Sequence, residues 1–237
     1  CNLSQVRKKI CEETPGSRMS QVANPAFDAM AFEIWPCLLG GASLYIVDDQ
    51  TRMDSLNMKK WLIKFKITIA YQPTVIAMLL LKEKWDNEVV SLRFLMTAGD
   101  RLTQYSSPRH PFILYNLYGP TEDTVWTTWA EVGTGSEQKR VPPIGKPIDN
   151  HRVYIVNASF RLQPVGVTGE IFIGGDGLAV GYLNNPERTA EKFIADSFLS
   201  KNLDRSWPGE ALGYCTGDIG QWLTDGNIEF VGRVDHQ

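Results

Sequence analysis

Residues 42–71, ASLYIVDDQTRMDSLNMKKWLIKFKITIAY, decide the fold. Ala42–Val47 is a short apolar run after the turn signal Gly40-Gly41 and reads as a strand. Met53–Phe65 brings Leu56, Trp61, Leu62 and Phe65 round at helical spacing, and Ile67–Tyr71 reads as a second strand. Strand, helix, strand is the repeating unit of a layered α/β fold. The pattern continues downstream. Pro73 suits the first turn of an apolar helix running to about Lys84. Arg93–Thr97 is a third strand, ending at Ala98-Gly99-Asp100, and Phe112–Leu117 a fourth, ending at Gly119-Pro120. Upstream, CNLSQVRKK reads as the middle of a helix, and with no initiator Met the sequence is expected to be an excised segment.

The texture changes at the polar stretch Val132–Pro143. Beyond it come strands punctuated by turns: His151–Val156, Glu170–Ile173 and a hairpin around Asp225-Gly226. A helix from Pro186 to about Ala195, capped by Asn185, interrupts them. The expected organisation is therefore a layered α/β lobe over residues 1–140 and a smaller, β-rich, barrel-like lobe over 141–237.

Bulk properties exclude several classes of function. With 43% hydrophobic residues the chain has the composition of a folded globular protein. A net charge of −3 without blocks of like charge gives nucleic acid and anionic membranes nothing to bind. No apolar run is long enough to cross a bilayer. Cys1, Cys11, Cys37 and Cys215 lack metal or disulfide spacing, which points to a reducing, cytoplasmic setting. With His110, His151 and His236 the only histidines, a Cys/His metal site is not expected.

Four short stretches carry polar chemistry. In Asn116-Leu117-Tyr118-Gly119-Pro120-Thr121-Glu122 a strand ends in a Gly-Pro turn followed by a hydroxyl and a carboxylate. Tyr118 offers a flat face for a base, Thr121 a hydrogen bond to phosphate, and Glu122 an oxygen ligand for Mg2+. The alternative is an ordinary turn with an exposed glutamate. Gly166–Tyr182 is rich in glycine but lacks dinucleotide-binding spacing, so tight β turns explain it locally. Tyr214-Cys215-Thr216-Gly217-Asp218 ends in a carboxylate that could take two ribose hydroxyls, or could close a plain turn. Gly232-Arg233-Val234-Asp235 adds a cation and a carboxylate that could equally be a solvated pair.

The order and spacing of these stretches resemble the adenylate-forming, AMP-binding superfamily, and specifically the adenylation domains of nonribosomal peptide synthetases. Phe27–Trp35 (FDAMAFEIW) is similar to that family's substrate-pocket motif, Asn116–Glu122 to NxYGPTE, and Gly169–Leu183 to GELxIGGxGxARGYL. Pro186–Phe193 is similar to the PExTAExF helix, Tyr214–Asp218 to YRTGD, and Gly232–Gln237 to the start of GRxDxQ. The resemblance covers essentially the whole chain.

It implies that ATP and an amino acid react to give an aminoacyl-AMP and pyrophosphate, after which a phosphopantetheine thiol on a carrier protein takes the aminoacyl group. Carrier and condensation domains of the same synthetase are the implied partners. By similarity Asn116 and Tyr118 hold the adenine with Gly99 nearby, Thr121 contacts phosphate, and Glu122 binds Mg2+. Asp218 takes the ribose hydroxyls, Arg233 reaches the nucleotide, and Asp235 is the hinge for domain rotation.

By the same similarity Asp28 holds the substrate α-ammonium, which separates amino-acid activators from acyl-acid ligases. The competing reading is a helix N-cap. The implied pocket adds Ala29, Phe32, Ala70, Met96, Ala98, Leu117, Val125 and Trp126, none charged. A polar substrate end would go unpaired there, so a small or medium aliphatic side chain is expected.

Two motif positions depart from the pattern: Cys215 stands for the Arg of YRTGD and Val180 for the Arg of ARGY. The family's phosphate loop and C-terminal lysine are expected beyond Cys1 and Gln237, so this piece alone is expected to be nearly inactive. The alternatives are an acyl- or aryl-acid ligase, which Asp28 opposes, and a non-catalytic binding module, which Thr121, Glu122, Asp218 and Arg233 oppose.

Overall fold

The computed structural model describes residues 2–86, 88–134, 140–199 and 211–234. Two compact units emerge, 1–118 with 129–145, and 119–128 with 146–237. These units differ from a single cut at 140 chiefly in the placement of residues 119–128. The ten residues of the Gly-Pro-Thr-Glu turn leave the end of a first-unit strand and pack with the second unit, before the chain returns. Of the polar stretch Val132–Pro143, residues 135–139 lie outside the described residues, as does Asp235.

The first unit contains α1 (Asn2–Ile10), β1 (Arg18–Gln21), α2 (Ala29–Leu39), β2 (Ser43–Ile46), α3 (Asp49–Arg52) and α4 (Ser55–Lys64). There follow β3 (Ile69–Pro73), α5 (Thr74–Leu80), β4 (Phe94–Ala98), β5 (Ile113–Tyr118) and β6 (Thr128–Val132). Its strands lie in the order β2-β1-β3-β4-β5-β6, and β1 to β5 pair in parallel. Helices on both faces explain why β3 and β4 are buried along nearly their whole length rather than alternating. Asp54 caps α4 by accepting from the Asn57 amide at 2.7 Å. The apolar helix after Pro73 ends at Leu80 instead of Lys84, and the Trp85 indole closes the turn by donating to the Leu80 carbonyl.

Register fixes what each sheet face carries. Tyr71 pairs with Met96 and Met96 with Tyr115, so these side chains share one face with Ala98 and Leu117. That face meets α1 and α2: Tyr71 packs edge-on to Phe32 at 6.1 Å, and the Met96 and Cys11 sulfurs lie 3.9 Å apart. Ala70 and Gln72 pair with Leu95 and Thr97 on the other face, where Gln72 reaches Met58 of α4.

The second unit contains the 3-10 turn Thr121–Asp123, β7 (Lys146–Pro147), β8 (His151–Val156), β9 (Gly169–Gly175), α6 (Pro186–Lys192), β10 (Phe193–Ala195), β11 (Leu212–Trp222) and β12 (Ile228–Arg233). Its antiparallel sheet runs β10-β11-β9-β8, with β12 also on β11. Asn185 caps α6 as expected, accepting from the Arg188 amide at 3.0 Å. The helix stops at Lys192, because Phe193–Ala195 pair with β11 and bury the Phe193 ring against Tyr214. Within β11 the register shifts between Cys215 and Ile219, around Gly217 at φ +76°. A left-handed residue in a strand is a bulge, and glycine adopts it without steric cost.

Candidate adenylation site

α2 presents Asp28, Ala29 and Phe32 from one helix start. Asp28 occupies the N-cap position, yet its carboxylate accepts no capping hydrogen bond. It also pairs with no cation among the described residues, although it is half-buried. The helix N-terminus favours its charge without consuming its oxygens.

Behind α2 lies a polar layer that the sequence reading missed. Arg7, fully buried, donates to both Glu13 oxygens at 2.8 Å and to the Phe32 carbonyl at 3.1 Å. Glu33, also fully buried, accepts from the amides of Val22 at 2.9 Å and Ala23 at 3.0 Å and from the Gln21 side chain at 3.2 Å. Burial pushes the Glu33 carboxyl up to about 7 despite those donors. The folded chain therefore retains a proton that the unfolded chain loses near pH 4.5. The stability this proton contributes is full below that pH and lost as the pH rises to about 7, on the order of 3 kcal/mol. Glu33→Gln is expected to flatten the fall in melting temperature between pH 5 and pH 7.5. An unchanged slope would assign that dependence to another group.

Among the expected pocket residues, the structure brings Asp28, Ala29, Phe32, Met96, Ala98 and Leu117 to the α2 side of the first-unit sheet. Ala70 lies on the opposite face of β3, and its neighbour Tyr71 packs against Phe32. In a pleat, one residue of displacement exchanges faces. Val125 and Trp126 belong to the second unit. Gly99 follows β4 with open space where a side chain would stand. Asn116, on the face opposite Leu117, donates from its amide to the Pro143 carbonyl at 2.8 Å. Tyr118 ends β5, half-buried.

In the second unit the turn sets Thr121 at the surface and Glu122 half-buried. Tyr182 donates to Glu122 Oε1 at 2.5 Å, and its hydroxyl lies 3.2 Å from that of Tyr214. Burial pushes the Glu122 carboxyl up, but these phenols more than offset it and hold it below the usual value. Arg233 donates to Asp218 Oδ1 at 2.8 Å, while Thr216 and Glu170 fix the backbone amides of Asp218 and Gly217. Glu122, Arg188, Lys192, Tyr214, Thr216 and Arg233 face one polar cavity of about 550 Å³. Tyr182, Tyr214 and Arg188 carried no role in the sequence reading, and Tyr182 is 60 residues from the carboxylate it holds.

A family model described as AMP-binding enzyme matches residues 1–183. This chain belongs to the AMP-binding enzyme family. It is 42% identical over its whole length to a linear gramicidin synthase polypeptide of Brevibacillus parabrevis, spanning 4% of that protein. It is 38% identical to bacitracin synthase 1 of Bacillus licheniformis, again over its whole length and 4% of the relative. Against tyrocidine synthase 1 of Brevibacillus parabrevis, identity is 40% over 94% of this chain and 20% of the relative. The crystal structure of the nonribosomal peptide synthetase FmoA3 in its AMPPNP-bound form superposes with a TM-score of 0.86 at 28% identity, over 99% of this chain and 25% of that one. Its α-methyl-L-serine-AMP-bound form gives 0.86 at 29%, over 100% and 27%. The AMP-binding chain thus groups with the adenylation domains of nonribosomal peptide synthetases, as the motifs implied.

The donor set suits the ligands of such a domain. Mg2+ keeps several waters and takes one or two carboxylates plus substrate phosphates. Glu122 offers one ionised carboxylate, and no group of three acidic, His or Cys side chains that could cage a metal occurs among the described residues. Cys215, where the family has arginine, is a buried sheet residue whose thiol burial pushes up to about 11, so it packs rather than reacts. No described helix is long and apolar enough to cross a membrane.

Proposed function

We propose that this AMP-binding chain activates an amino acid. The substrate carboxylate attacks the α-phosphorus of ATP, the bond to pyrophosphate breaks, and the aminoacyl group then passes to the phosphopantetheine thiol of a carrier domain, with AMP leaving. The observation that carries the reading is the uncommitted Asp28 carboxylate. It is half-buried at a helix N-terminus, with neither a capping bond nor a described cation. A carboxylate so placed is an ammonium site, and an acyl-acid ligase has no ammonium to hold.

Bound ATP and Mg2+ would supply the electrophilic phosphorus and neutralise charge on the departing pyrophosphate. The chain positions the reactants. Glu122 and Thr121 serve the phosphate end, Asp218 and Arg233 the ribose, and Asn116, Tyr118 and Gly99 the base. By the resemblance, Ala29, Phe32, Ala70, Met96, Ala98 and Leu117 of the first unit, and Val125 and Trp126 of the second, each serve an uncharged substrate side chain of small or medium size. Asp235 serves as the hinge, and carrier and condensation domains are the partners.

Amino-acid-dependent ATP–pyrophosphate exchange, assayed on a longer protein carrying this chain, tests the reading. Asp28→Ala is expected to raise the KM for the amino acid about 10- to 100-fold, the worth of a charge-assisted hydrogen bond, while the KM for ATP changes little. Exchange supported only by acids lacking the amine would move the chain to the acyl-acid ligases.

A further inference from the structure

Tyr182, at the end of the glycine-rich stretch, and Tyr214, near the start of β11, bring their hydroxyls together beside Glu122. Tyr182 donates to Glu122 Oε1 at 2.5 Å, the length of a charge-assisted O–H···O⁻ bond. A phenol has one proton to give. With that proton committed, the 3.2 Å contact between the two hydroxyls is a bond donated by Tyr214 and accepted by Tyr182. The three groups form a chain from Tyr214 through Tyr182 to Glu122, in which each donor strengthens the next. Both rings are held. The Tyr182 amide donates to Thr189 Oγ1 at 2.9 Å, the Arg188 guanidinium lies 5.1 Å from the ring centroid, and Phe193 packs edge-on at 5.8 Å. Tyr214 is buried, its ring 5.0 Å from that of Phe193. Glu122, by contrast, is a flexible side chain on a three-residue 3-10 turn. The glycine-rich stretch grips it at two points, because the Ala179 amide also donates to its carbonyl at 2.8 Å. All of these residues belong to the second unit.

We infer that Tyr182 and Tyr214 are positioning residues for the Mg2+ that Glu122 would hold: Tyr182 fixes and orients the carboxylate, and Tyr214 acts through Tyr182. The inference rests on the adenylation reading, and it gives the glycine-rich stretch a task beyond forming tight turns. A carboxylate offers about four lone-pair sites, so a phenol on Oε1 leaves capacity for a metal. Carboxylates that bind metals are themselves hydrogen-bonded, and loss of such an outer partner typically costs about 10- to 100-fold in metal affinity or activity. Phenylalanine is the discriminating substitution at both sites, since it keeps the ring against Phe193 and removes the hydroxyl alone.

The test measures the affinity of a longer protein carrying this chain for AMPPNP by calorimetry, once with Mg2+ and once with EDTA in its place, and melting curves confirm that each variant folds. The wild-type protein is expected to bind more tightly with Mg2+. Tyr182→Phe is expected to lose about tenfold or more of the affinity measured with Mg2+ and none of that measured with EDTA. Tyr214→Phe is expected to lose less, and to cost nothing further when added to Tyr182→Phe, because its effect travels through the missing hydroxyl. A Tyr182→Phe protein that binds like the wild type, or that loses equally with and without Mg2+, would overturn the inference. Additive losses in the double variant would overturn the part assigned to Tyr214. A wild-type protein indifferent to Mg2+, or a Glu122→Gln variant that keeps the full Mg2+ effect, would overturn the metal role of Glu122 and this inference with it. Absence of amino-acid-dependent pyrophosphate exchange in the wild-type protein would overturn the adenylation reading, and the Mg2+ effect on AMPPNP is scored without that assay.

Discussion

Arg7→Leu is expected to cost the chain about 3–5 kcal/mol, the penalty of breaking a buried ion pair from one side. Arg7 has no exposed surface and the Glu13 side chain is 1% exposed, so the abandoned carboxylate would have no water to turn to. The Phe32 carbonyl would lose its donor as well, and the Phe32 ring the guanidinium 5.4 Å from its centroid. Because domains are stable by only about 5–15 kcal/mol, such a loss is a large fraction of the whole. Urea denaturation should show the midpoint falling with the slope preserved. The double variant Arg7→Leu with Glu13→Leu is expected to recover part of the loss, since it leaves no charge unpaired. A single variant as stable as the parent would mean that Glu13 finds another partner or a proton. The functional consequence lies in α2. The pair anchors the backbone at Phe32, one turn after Asp28, so a loosened helix start moves Asp28, the proposed ammonium site, and Phe32 together.

Sequence reading reached the elements and the polar residues at their ends, and failed mainly where side chains from distant segments meet. The strand–helix–strand core is legible because periodicity is a local property, as with Leu56, Trp61 and Leu62 on α4. Asn185 is legible as a cap for the same reason. Arg7 is not, because in QVRKKI one basic residue of three is buried, and only the acidic residue six positions on, Glu13, explains which. Phe193 is not, because its helical neighbours disguise a strand that tertiary pairing with Tyr214 imposes. The face that Ala70 takes is not legible either. Nothing within a fully buried strand says which residues face α2, since both faces are apolar. At the site, Glu122 and Asp218 stand in recognisable local motifs. Tyr182 and His151 do not, since each acts on a turn far away in the chain.

That turn is where the second large effect is expected: Gly177→Ala should destabilise the second unit by about 2–4 kcal/mol. A Cβ at Gly177 would overlap His151 Nε2 and stand 2.8 Å from Asp123 Oδ1, with no flexible chain end to yield. His151 and Asp123 are a buried pair, 3.4 Å apart, and Thr127 adds a hydrogen bond to Asp123 at 2.6 Å. Burial opposes charge on the imidazole, but Asp123 and the Asp149 carbonyl more than offset it and raise its pKa. The pair works against strain. Thr124 and Val125 stand at φ +55° and +75°, a region that disfavours β-branched side chains and costs about 1–3 kcal/mol per residue. Two bonds from the glycine-rich loop hold them there: Thr124 donates to the Gly177 carbonyl at 2.5 Å, and the Ala179 amide to the Glu122 carbonyl at 2.8 Å. Pushing Gly177 outward loosens the pair and the bonds at once, and the turn can then relax toward ordinary dihedrals, carrying Thr121 and Glu122 with it. Gly133→Ala, where a Cβ meets nothing within 4 Å, is the neutral control. Thermal melts of both variants, with the Tyr182–Glu122 hydrogen bond followed by the phenol proton resonance, read stability and turn geometry separately. Loss of that resonance in a still-folded Gly177→Ala chain would show that the glycine-rich stretch serves the carboxylate rather than a phosphate. A Gly177→Ala chain as stable as Gly133→Ala would show that the His151–Asp123 pair yields without cost and that Thr124 and Val125 keep their strain by other means.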